Sequence, residues 1–366
     1  MRYAIFADSP LHIMNCINLV WHDVEGIRGN CDLYIHKQFS GYDRMIPALR
    51  QMGLFGNIYE CHMPVKSNES KVWHSVIRMA ELFFPRRFLD EWAGRKFAVN
   101  EYEILLMPAP LRFTVALVDL NRRAAVWFYE DGSANYFGNI LDSYGPKSKY
   151  LIKKLFNKGH ATVVPERMYL NNVAFSGSTT NCKMVNLPRI DVNDAAFMNV
   201  LNRVFGEGGD YCGKRVFYLS IPLFDINADR DVNVEETFDS TLRVLLPRKD
   251  EVVVRPHPRE PEREYCGIDI DRNRTLWELI CSRVILDEHI LIGSYSTGQM
   301  MPKILFDKEP TIVFTYKIYK PVLPEGKMQA MDALVERVRS AYRDPSKVYN
   351  VRSLDEYSAV MKKRFV

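Results

Sequence analysis

The sequence predicts an α/β protein with two Rossmann-like domains, and three observations lead to this fold class. The chain has 366 residues, 47% of them hydrophobic, which is enough for more than one core. Short apolar strands alternate with helical segments, a pattern typical of parallel sheets covered by helices. This pattern restarts after a glycine-rich stretch, so we place the domains at 1–208 and 209–366.

The first half begins with a strand, a tight turn and a helix. Ser9 is suited to cap this helix and Pro10 to occupy its first position. The segment 60–98 is aromatic and basic, and we interpret it as packed amphipathic helices; contact with a membrane or a long anionic acceptor is the alternative. The predicted strands are RYAIFAD, CDLYIH, GNIYECHMP, EILLMPAP and AAVWFYEDG, and YDRMIPALRQMG is predicted to be a helix ended by glycine.

The second half repeats the alternation of strands and helices. Ligands of such sheets bind at the carboxyl ends of strands, and each candidate motif of this chain comes directly after such an end. The predicted strands are RVFYLSI, EVVVRPHP, a strand ending at Ile292-Gly293, and EPTIVFTYK, and the predicted helices are NVEETFDSTLRVLLP, TLWELICS and a segment starting near Gly298.

Composition argues against several classes of function. The formal net charge is only +4, and no long run of lysine and arginine suggests nucleic-acid binding. The seven scattered cysteines lack a CxxC pair, which indicates reduced thiols in a cytosolic protein and no zinc site. We find neither a signal-peptide pattern nor an apolar run of roughly 18–20 residues, so we expect a cytoplasmic location.

The stretch WFYEDGS is the first motif that suggests chemistry, because a buried strand stops there at two adjacent carboxylates, Glu130 and Asp131. Both are expected to project into a crevice. Such a pair suits a general base, since one acid can be tuned by its surroundings while the other holds a partner or a substrate hydroxyl. Gly132 permits a sharp turn, and Ser133 can cap the next element of the chain. A plain Asp-Gly turn is the alternative.

A second motif, RPHP, comes after a run of three valines. Two prolines, the second of them Pro258, restrict the backbone around His257. Arg255 and Arg259 flank the imidazole, which makes a cationic spot suited to phosphate. His257 could donate to a phosphate oxygen and protonate a leaving group. A turn with an incidental histidine is the alternative.

The third motif is SYSTG, at the end of another strand. Ser294, Ser296 and Thr297 crowd the turn before the helix that is predicted to begin near Gly298. Hydroxyls and backbone N–H groups at a helix N-terminus form an anion site. Simple capping of the helix by Thr297 is the alternative.

Together the three motifs predict one cleft between two facing sheets. The first half would supply a base for an acceptor, the second would hold a nucleotide phosphate, and Asp131 and His257 would look into the same gap. This arrangement is typical of a GT-B glycosyltransferase. We expect neither a metal nor another cofactor: 269–271 has the DxD spelling of a metal motif, but we place it in a charged loop.

The motifs EDGS, RPHP and the Ser/Thr pair of SYSTG, in this order, resemble those of bacterial sialyltransferases. Those enzymes carry a D/E-D/E-G motif, an HP motif and a Ser/Ser-Thr motif. The opening FADSPLHIMNCINL is similar to the start of glycosyltransferase family 52 and of the related polysialyltransferases. The resemblance spans both halves of the chain through four short motifs.

This resemblance implies an inverting, metal-independent sialyltransferase. The donor is then a CMP-activated nonulosonic acid, above all CMP-N-acetylneuraminic acid. The acceptor is a sugar hydroxyl such as that of galactose, on lipooligosaccharide or capsule, and can be lipid-linked. The resemblance implies that Asp131 accepts the acceptor proton with support from Glu130, and that His257 contacts the phosphate and assists the departure of CMP. It implies phosphate binding by Ser296 and Thr297. Further donor contacts would come from Ser294, Arg255 and Pro258, and acceptor or cleft contacts from Ser9, His12, Gly132 and Ser133.

Two departures from the family pattern leave other interpretations open. His12 stands where the family opening usually has glutamine, which leaves the acceptor contacts open. SYST also resembles the CDP-glycerol and CDP-ribitol phosphotransferases of teichoic acid synthesis, which pair a PHP turn with S-D-Y-S-S, although Ser294 replaces the aspartate here. A non-catalytic GT-B relic that binds a glycan or a partner protein is the third interpretation. The presence of all three motifs argues against it.

The final stretch LDEYSAVMKKRFV is amphipathic and basic. It could lie on an anionic membrane, where a lipid-linked acceptor would be, and the protein would then be peripheral on the cytoplasmic face of the inner membrane. A helix that packs back across the domains with a solvated basic edge is the alternative. The family resemblance also allows a homodimer.

Overall fold

The chain forms two compact units, Met1–Val204 and Phe205–Val366. The first therefore ends at Val204, whereas residue 208 is the boundary expected from the sequence. The computed structural model describes residues 1–37, 39, 41–63, 80–81, 83–132, 134–137, 163–177, 182–273, 275–294, 296–323 and 326–365.

The first unit is built on a parallel sheet of seven strands. The strands are β1 (Tyr3–Ala7), β2 (Cys31–His36), β3 (Asn57–Cys61), β4 (Ile104–Met107), β5 (Ala125–Tyr129), β6 (Arg167–Leu170) and β7 (Lys183–Asn186). The helices are α1 (Pro10–Trp21), α2 (Tyr42–Met52), α3 (Pro85–Ala93), α4 (Arg112–Leu120), α5 (Ala134–Phe137) and α6 (Ala195–Phe205), the last of which ends at the boundary. The order across the sheet is β3-β2-β1-β4-β5-β6-β7.

The second unit is built on a parallel sheet of six strands. The strands are β8 (Val216–Leu219), β9 (Val252–Arg255), β10 (Asp269–Ile270), β11 (Ile290–Gly293), β12 (Thr311–Phe314) and β13 (Val348–Asn350). The helices are α7 (Val234–Arg243), α8 (Trp277–Arg283), α9 (Met301–Phe306), α10 (Lys327–Ala341) and α11 (Leu354–Phe365). The order across the sheet is β10-β9-β8-β11-β12-β13.

Both sheets have the strand order of a Rossmann fold, which confirms the predicted fold class of each half. The order reverses between β1 and β4 in the first sheet and between β8 and β11 in the second. Ligands of doubly wound sheets bind beyond the carboxyl ends of the strands at such a reversal. In each unit, the residues directly after these strands are therefore the first candidates for a functional site.

Local sequence explains the turn from β1 into α1. All five residues of β1 are buried, as expected for a central parallel strand with both faces covered. Ser9 caps α1 by accepting a hydrogen bond from the backbone N–H of His12 at 3.2 Å, and Pro10 lies in the first turn. The predicted helix start is thereby confirmed.

Several elements are not predicted by the sequence patterns: β6, β7, β13, α4, α5, α6 and α10. The segment 269–271 also differs from its prediction, because Asp269–Ile270 forms the edge strand β10 rather than a charged loop. β7 has exposed residues at both ends and β10 has only two residues, so neither shows the apolar run that marks a buried strand.

The part of 60–98 that the structure describes agrees with the interpretation of a packed amphipathic helix. α3 buries Leu89, Trp92 and Ala93 and presents its charged residues on the other side. Residues 64–79 and 82 lie outside the described residues.

The C-terminal stretch forms α11, which buries three of its side chains in the second unit. Tyr357, Val360 and Met361 join the core cluster of the second unit, and Phe365 packs against it. This burial favours the interpretation of a packed helix, and membrane contact of the stretch is left without support. Val366 lies outside the described residues. Among the described helices, none is both long and apolar enough to cross a bilayer.

Candidate functional site

Asp131 lies just after β5 at the carboxyl end of the first sheet, with its side chain 33% exposed. The turn continues through Gly132, whose φ of +128° lies in a region that glycine tolerates and other residues rarely adopt. The sharp turn predicted at Gly132 is confirmed, and Ser133 lies outside the described residues. Asn135 fixes the start of the turn, because its Oδ1 accepts a hydrogen bond from the Asp131 N–H at 2.7 Å.

His12 joins Asp131 to the turn after β1. The Nε2 atom of this histidine lies 2.9 Å from Asp131 Oδ1, and its Nδ1 lies 2.6 Å from Asp8 Oδ1. The Asp8 backbone nitrogen is also near Nδ1, but at 3.4 Å. His12 is only 2% exposed, and the ring of Tyr129 packs edge-on against it at 5.7 Å. The structure thus places an imidazole between two carboxylates at the end of the sheet.

The environment of His12 favours its charged form. Burial disfavours an imidazolium, but the hydrogen bonds with Asp131 and Asp8 outweigh burial and raise the pKa of His12 to about 9. The ring therefore carries a positive charge at neutral pH. Ser9 caps α1, as predicted, and its expected contact with the acceptor stays a prediction.

Glu130 differs from Asp131, although the two are adjacent in sequence. Its carboxyl is fully buried and accepts hydrogen bonds from the Tyr136 hydroxyl and from the backbone N–H of Asn171. Burial raises the pKa of Glu130, and these hydrogen bonds oppose the rise. The expectation that both acids project into a crevice is wrong for Glu130, because successive residues at a strand end point to opposite sides. Its carbonyl oxygen accepts from Asn15 Nδ2 at 3.1 Å, so Glu130 ties the turn to α1.

His257 lies beyond the carboxyl end of β9 in the second unit and is half-buried. Its Nδ1 accepts a hydrogen bond from the backbone N–H of Arg259 at 3.2 Å. Burial and the nearby Arg259 guanidinium lower the pKa of His257. The neutral ring therefore carries its proton on Nε2, which leaves a hydrogen-bond donor at this strand end. Pro258 is exposed beside it.

Arg255 is engaged inside the second unit. Its guanidinium lies 2.5 Å from the Asp271 carboxylate, donates to the carbonyl of Thr275 and packs over the Trp277 ring at 5.6 Å. Asp271 is almost completely buried. These partners occupy both terminal nitrogens of Arg255. We therefore assign Arg255 mainly a structural role in the unit, and contact with phosphate only a secondary one.

The SYSTG motif forms a 3₁₀ turn, Thr297–Gln299, before the short helix α9. Ser296 is its N-cap residue but makes no side-chain capping bond, and Thr297 is not the cap. The helical segment thus begins at Thr297, next to the predicted start near Gly298, and becomes an α-helix at Met301. A glycine fits at position 298, because a Cβ there would lie 2.9 Å from Leu219 Cδ1 and 3.0 Å from Trp277 Nε1 and these side chains would have to shift.

The three hydroxyls of this motif differ in exposure. Ser294 is buried, and its hydroxyl lies 3.2 Å from that of Thr315 at the end of β12. Ser296 and Thr297 are half-buried and remain the better candidates for contact with a ligand. In the part of the chain that the structure describes, no group of three or more His, Cys, Asp or Glu side chains is arranged to hold a metal ion.

Comparison with solved structures shows the fold of the chain. UGT89C1 of Arabidopsis thaliana, complexed with UDP, is 10% identical and superposes over 99% of this chain and 90% of its own with a TM-score of 0.51. CalG4, the calicheamicin glycosyltransferase, is 11% identical over 100% and 98% with a TM-score of 0.46. MnaA of S. aureus with UDP is 13% identical over 100% and 96% with a TM-score of 0.47. Neither a protein-family model nor a curated protein sequence matches the chain.

The resemblance to UGT89C1 and the two Rossmann strand orders decide the fold class. The chain has the GT-B fold. GT-B proteins are a fold class and not a single activity, so the chemistry must be argued from the residues at the strand ends. Asp131 belongs to the first GT-B unit and His257 to the second, and their convergence on one cleft stays a prediction.

Sequence reasoning misses several residues at these strand ends. It interprets Asp8 only as the end of β1. This carboxylate comes directly after that strand and four residues before His12, and that spacing could have indicated the contact between the two side chains. It also misses Ser220 and Glu260: the Ser220 hydroxyl, beyond β8, donates to Glu260 Oε2 at 2.5 Å, and the backbone N–H of His257 lies 3.4 Å from the same oxygen. Nothing local in the sequence indicates that pairing.

Proposed function

We propose that this protein is an inverting glycosyltransferase that moves sialic acid, or a related nonulosonic acid, from its CMP donor to a sugar hydroxyl of a surface glycan. One observation carries the proposal: the partly exposed Asp131 carboxylate at the carboxyl end of β5, held by a buried histidine. The GT-B fold supports transfer from a nucleotide-activated donor. The identity of the donor rests on the motif resemblance.

In the proposed reaction, Asp131 removes a proton from the acceptor. The acceptor oxygen forms a bond to the anomeric carbon of the donor while the bond from that carbon to the phosphate oxygen breaks, and the electron pair of that bond leaves with CMP. A general base contributes typically 10²- to 10⁴-fold to such a step. Glu130 supports the base indirectly, because it holds the turn on which Asp131 stands.

His257 acts on the donor side in this proposal. A neutral imidazole with its proton on Nε2 donates a hydrogen bond to a phosphate oxygen, and that bond strengthens as negative charge develops on departing CMP. Ser296 and Thr297 add hydroxyl donors at the end of β11. Arg255, paired with Asp271, supplies positive charge from behind the strand end.

The competing function is transfer of a phospho-alcohol from a CDP donor. Two stretches favour it, the PHP turn and the later SYST stretch, because both resemble motifs of those phosphotransferases. Both reactions release CMP, so detection of CMP does not separate them. The mass of the modified acceptor does separate them, because one product gains a nonulosonic acid and the other a phospho-alcohol.

The test is therefore a donor panel read by mass spectrometry of the acceptor. CMP-N-acetylneuraminic acid, CDP-glycerol, CDP-ribitol and UDP-N-acetylglucosamine are each incubated with the full chain and a galactose-terminated lipooligosaccharide, with and without EDTA. We expect product from the CMP sugar alone and no effect of EDTA. Asp355→Asn, which alters an exposed carboxylate, is the control variant and should keep full activity.

Other outcomes of this panel have definite meanings. Product from a CDP alcohol would replace the proposal by the phosphotransferase. Binding of CMP by calorimetry without turnover of any donor would favour a non-catalytic relic. Loss of activity in EDTA that Mg²⁺ or Mn²⁺ restores would contradict the metal-independent mechanism.

A further inference from the structure

The contacts of the His12 ring determine its protonation. Both ring nitrogens lie within hydrogen-bond distance of a carboxylate oxygen, Nδ1 at 2.6 Å from Asp8 and Nε2 at 2.9 Å from Asp131. Ionised carboxylates only accept hydrogen bonds, and a neutral imidazole has a single N–H. A neutral ring would therefore set a nitrogen lone pair against an anionic oxygen, whereas an imidazolium satisfies both contacts.

Among the described residues, the main influences on the His12 charge besides burial are the two carboxylates, and neither of them is a cation that would oppose it. His36 lies near Asp8, but burial lowers the pKa of His36, so it is neutral at neutral pH. Tyr129 packs edge-on at 5.7 Å and its hydroxyl donates to a backbone carbonyl of β1. Of the residues that the structure describes, the titratable groups that interact with His12 or its carboxylate partners include Asp8 after β1, His36 on β2, and Tyr129, Glu130 and Asp131 at the end of β5.

We propose that His12 is a positioning residue, held as an imidazolium between Asp8 and Asp131, that orients the Asp131 carboxylate toward the acceptor. This inference rests on the proposed function, in which Asp131 is the base. Because both nitrogens already carry protons, His12 itself is not the base. Asp8 anchors the far side of the His12 ring and thereby fixes the direction of the Nε2–H bond.

The inference has a consequence at alkaline pH. Once His12 loses its proton, the ring can donate to only one of the two carboxylates, and the other contact becomes repulsive. Asp131 then loses its fixed orientation, and catalysis by a positioned base falls with it. The rate is expected to fall as pH rises through about 9, where the pKa of His12 lies.

The first experiment measures the charge of the ring without any substrate. Nitrogen-15 NMR of the histidine rings is recorded from pH 5.5 to 10 in the wild type, in Asp8→Asn and in Asp43→Asn. Asp43→Asn removes an exposed carboxylate from the same unit and is the matched control. We expect both His12 nitrogens to be protonated at pH 7 in the wild type and control. In Asp8→Asn, the proton should be lost about one pH unit or more lower, since one of two anionic partners is gone.

The second experiment measures the rate over the same pH range, with whichever donor the panel shows to be turned over. In Asp8→Asn, the ratio of kcat to the wild-type kcat should be about three- to tenfold lower at pH 8.5 than at pH 6.5, with KM for the donor unchanged. A merely structural role for Asp8 would lower kcat equally at both pH values. His12→Gln serves only to assign the ring signals, and if it fails to fold, the Asp8→Asn shift assigns them.

Two results would overturn the inference. One is a His12 ring with a single protonated nitrogen at pH 7. The other is a rate that stays constant through the pH at which the ring loses its proton, or that falls at the same pH in Asp8→Asn as in the wild type. If no donor is turned over, the proposed function fails instead, and the inference stands or falls on the ring titration.

Discussion

The histidines at the two strand-end sites have opposite protonation, and the more buried of them is the charged one. His12 is almost completely buried, yet its pKa is raised to about 9 by Asp8 and Asp131. His257 is only half-buried, yet burial and the nearby Arg259 lower its pKa. At His12 the neighbouring anions therefore outweigh deep burial, whereas at His257 burial itself, assisted by the Arg259 charge, keeps the ring neutral.

This contrast gives the two units different chemical abilities. The first unit holds a cation between two anions, which suits the orientation of a carboxylate base. The second unit keeps its imidazole neutral and its arginine, Arg255, paired with Asp271, which suits donation of a hydrogen bond to a phosphate. Four experiments test the contrast.

Arg255→Gln should have the largest effect, and the effect should be on stability. Removing the guanidinium leaves the buried Asp271 carboxylate without its cationic partner, which typically costs about 3–5 kcal/mol, although Tyr211 and the Asn273 N–H still donate to it. Chemical denaturation measures this loss, with Arg272→Gln at an exposed position as the control. If Arg255→Gln is as stable as the control and loses only its affinity for CMP, Arg255 is a phosphate ligand and not a structural residue.

The stability of the wild type should fall at alkaline pH because of His12. A group whose folded pKa is raised contributes stability that is fully present below its unfolded pKa of 6.5 and is lost as pH rises through about 9. The shift corresponds to a contribution on the order of 3 kcal/mol. Denaturation curves between pH 6 and 10 should show this fall in the wild type and in the exposed variant His22→Gln, and a much smaller fall in His12→Gln. Parallel curves for all three proteins would contradict a charged His12.

Asp131→Asn should lower turnover by at least about 100-fold, or ~2.7 kcal/mol, while CMP affinity by calorimetry is retained. Glu130→Gln is the informative partner variant, and we expect it to lose less than about tenfold, because its carboxyl faces Tyr136 and Asn171. Near-normal turnover in Asp131→Asn would exclude it as the base. Equal losses in both variants would mean that the two acids act as one unit.

The smallest effect is expected at His257. Arg259→Gln removes the exposed cation that, after burial, lowers the pKa of this histidine, so its pKa should rise, and only slightly because solvent screens the pair. Ring nitrogen-15 NMR measures the rise, and Arg272→Gln again serves as the control. A fall in the pKa, or no change, would show that burial alone keeps His257 neutral.

Much of the fold is accessible from the sequence because its signals are local. Each central strand has a continuous apolar run, as parallel strands buried on both faces require. The predicted end of α2 is confirmed at Gly53, which takes the left-handed conformation that ends a helix. Edge strands such as β7 and β10 carry no such run, so sequence patterns miss them.

The candidate site is only partly accessible from the sequence. The position of Asp131 after a buried strand is evident from the apolar run that precedes it. The separation of Glu130 from Asp131 results from the two-residue period of a strand, so it is predictable in principle. The pairing of Asp131 with His12, 119 positions earlier, is not, since no pattern in the sequence links them.

Local patterns in this chain are thus sufficient to establish its central strands, its first helix start and the residues that stand at strand ends. Three-dimensional folding was needed to establish which of those residues become neighbours. Asp8 and His12 meet Asp131 because the sheet places β4 alone between β1 and β5. Strand order depends on how helices cross over and pack on the sheet, and the charge of His12 depends in turn on the carboxylates that this order brings together.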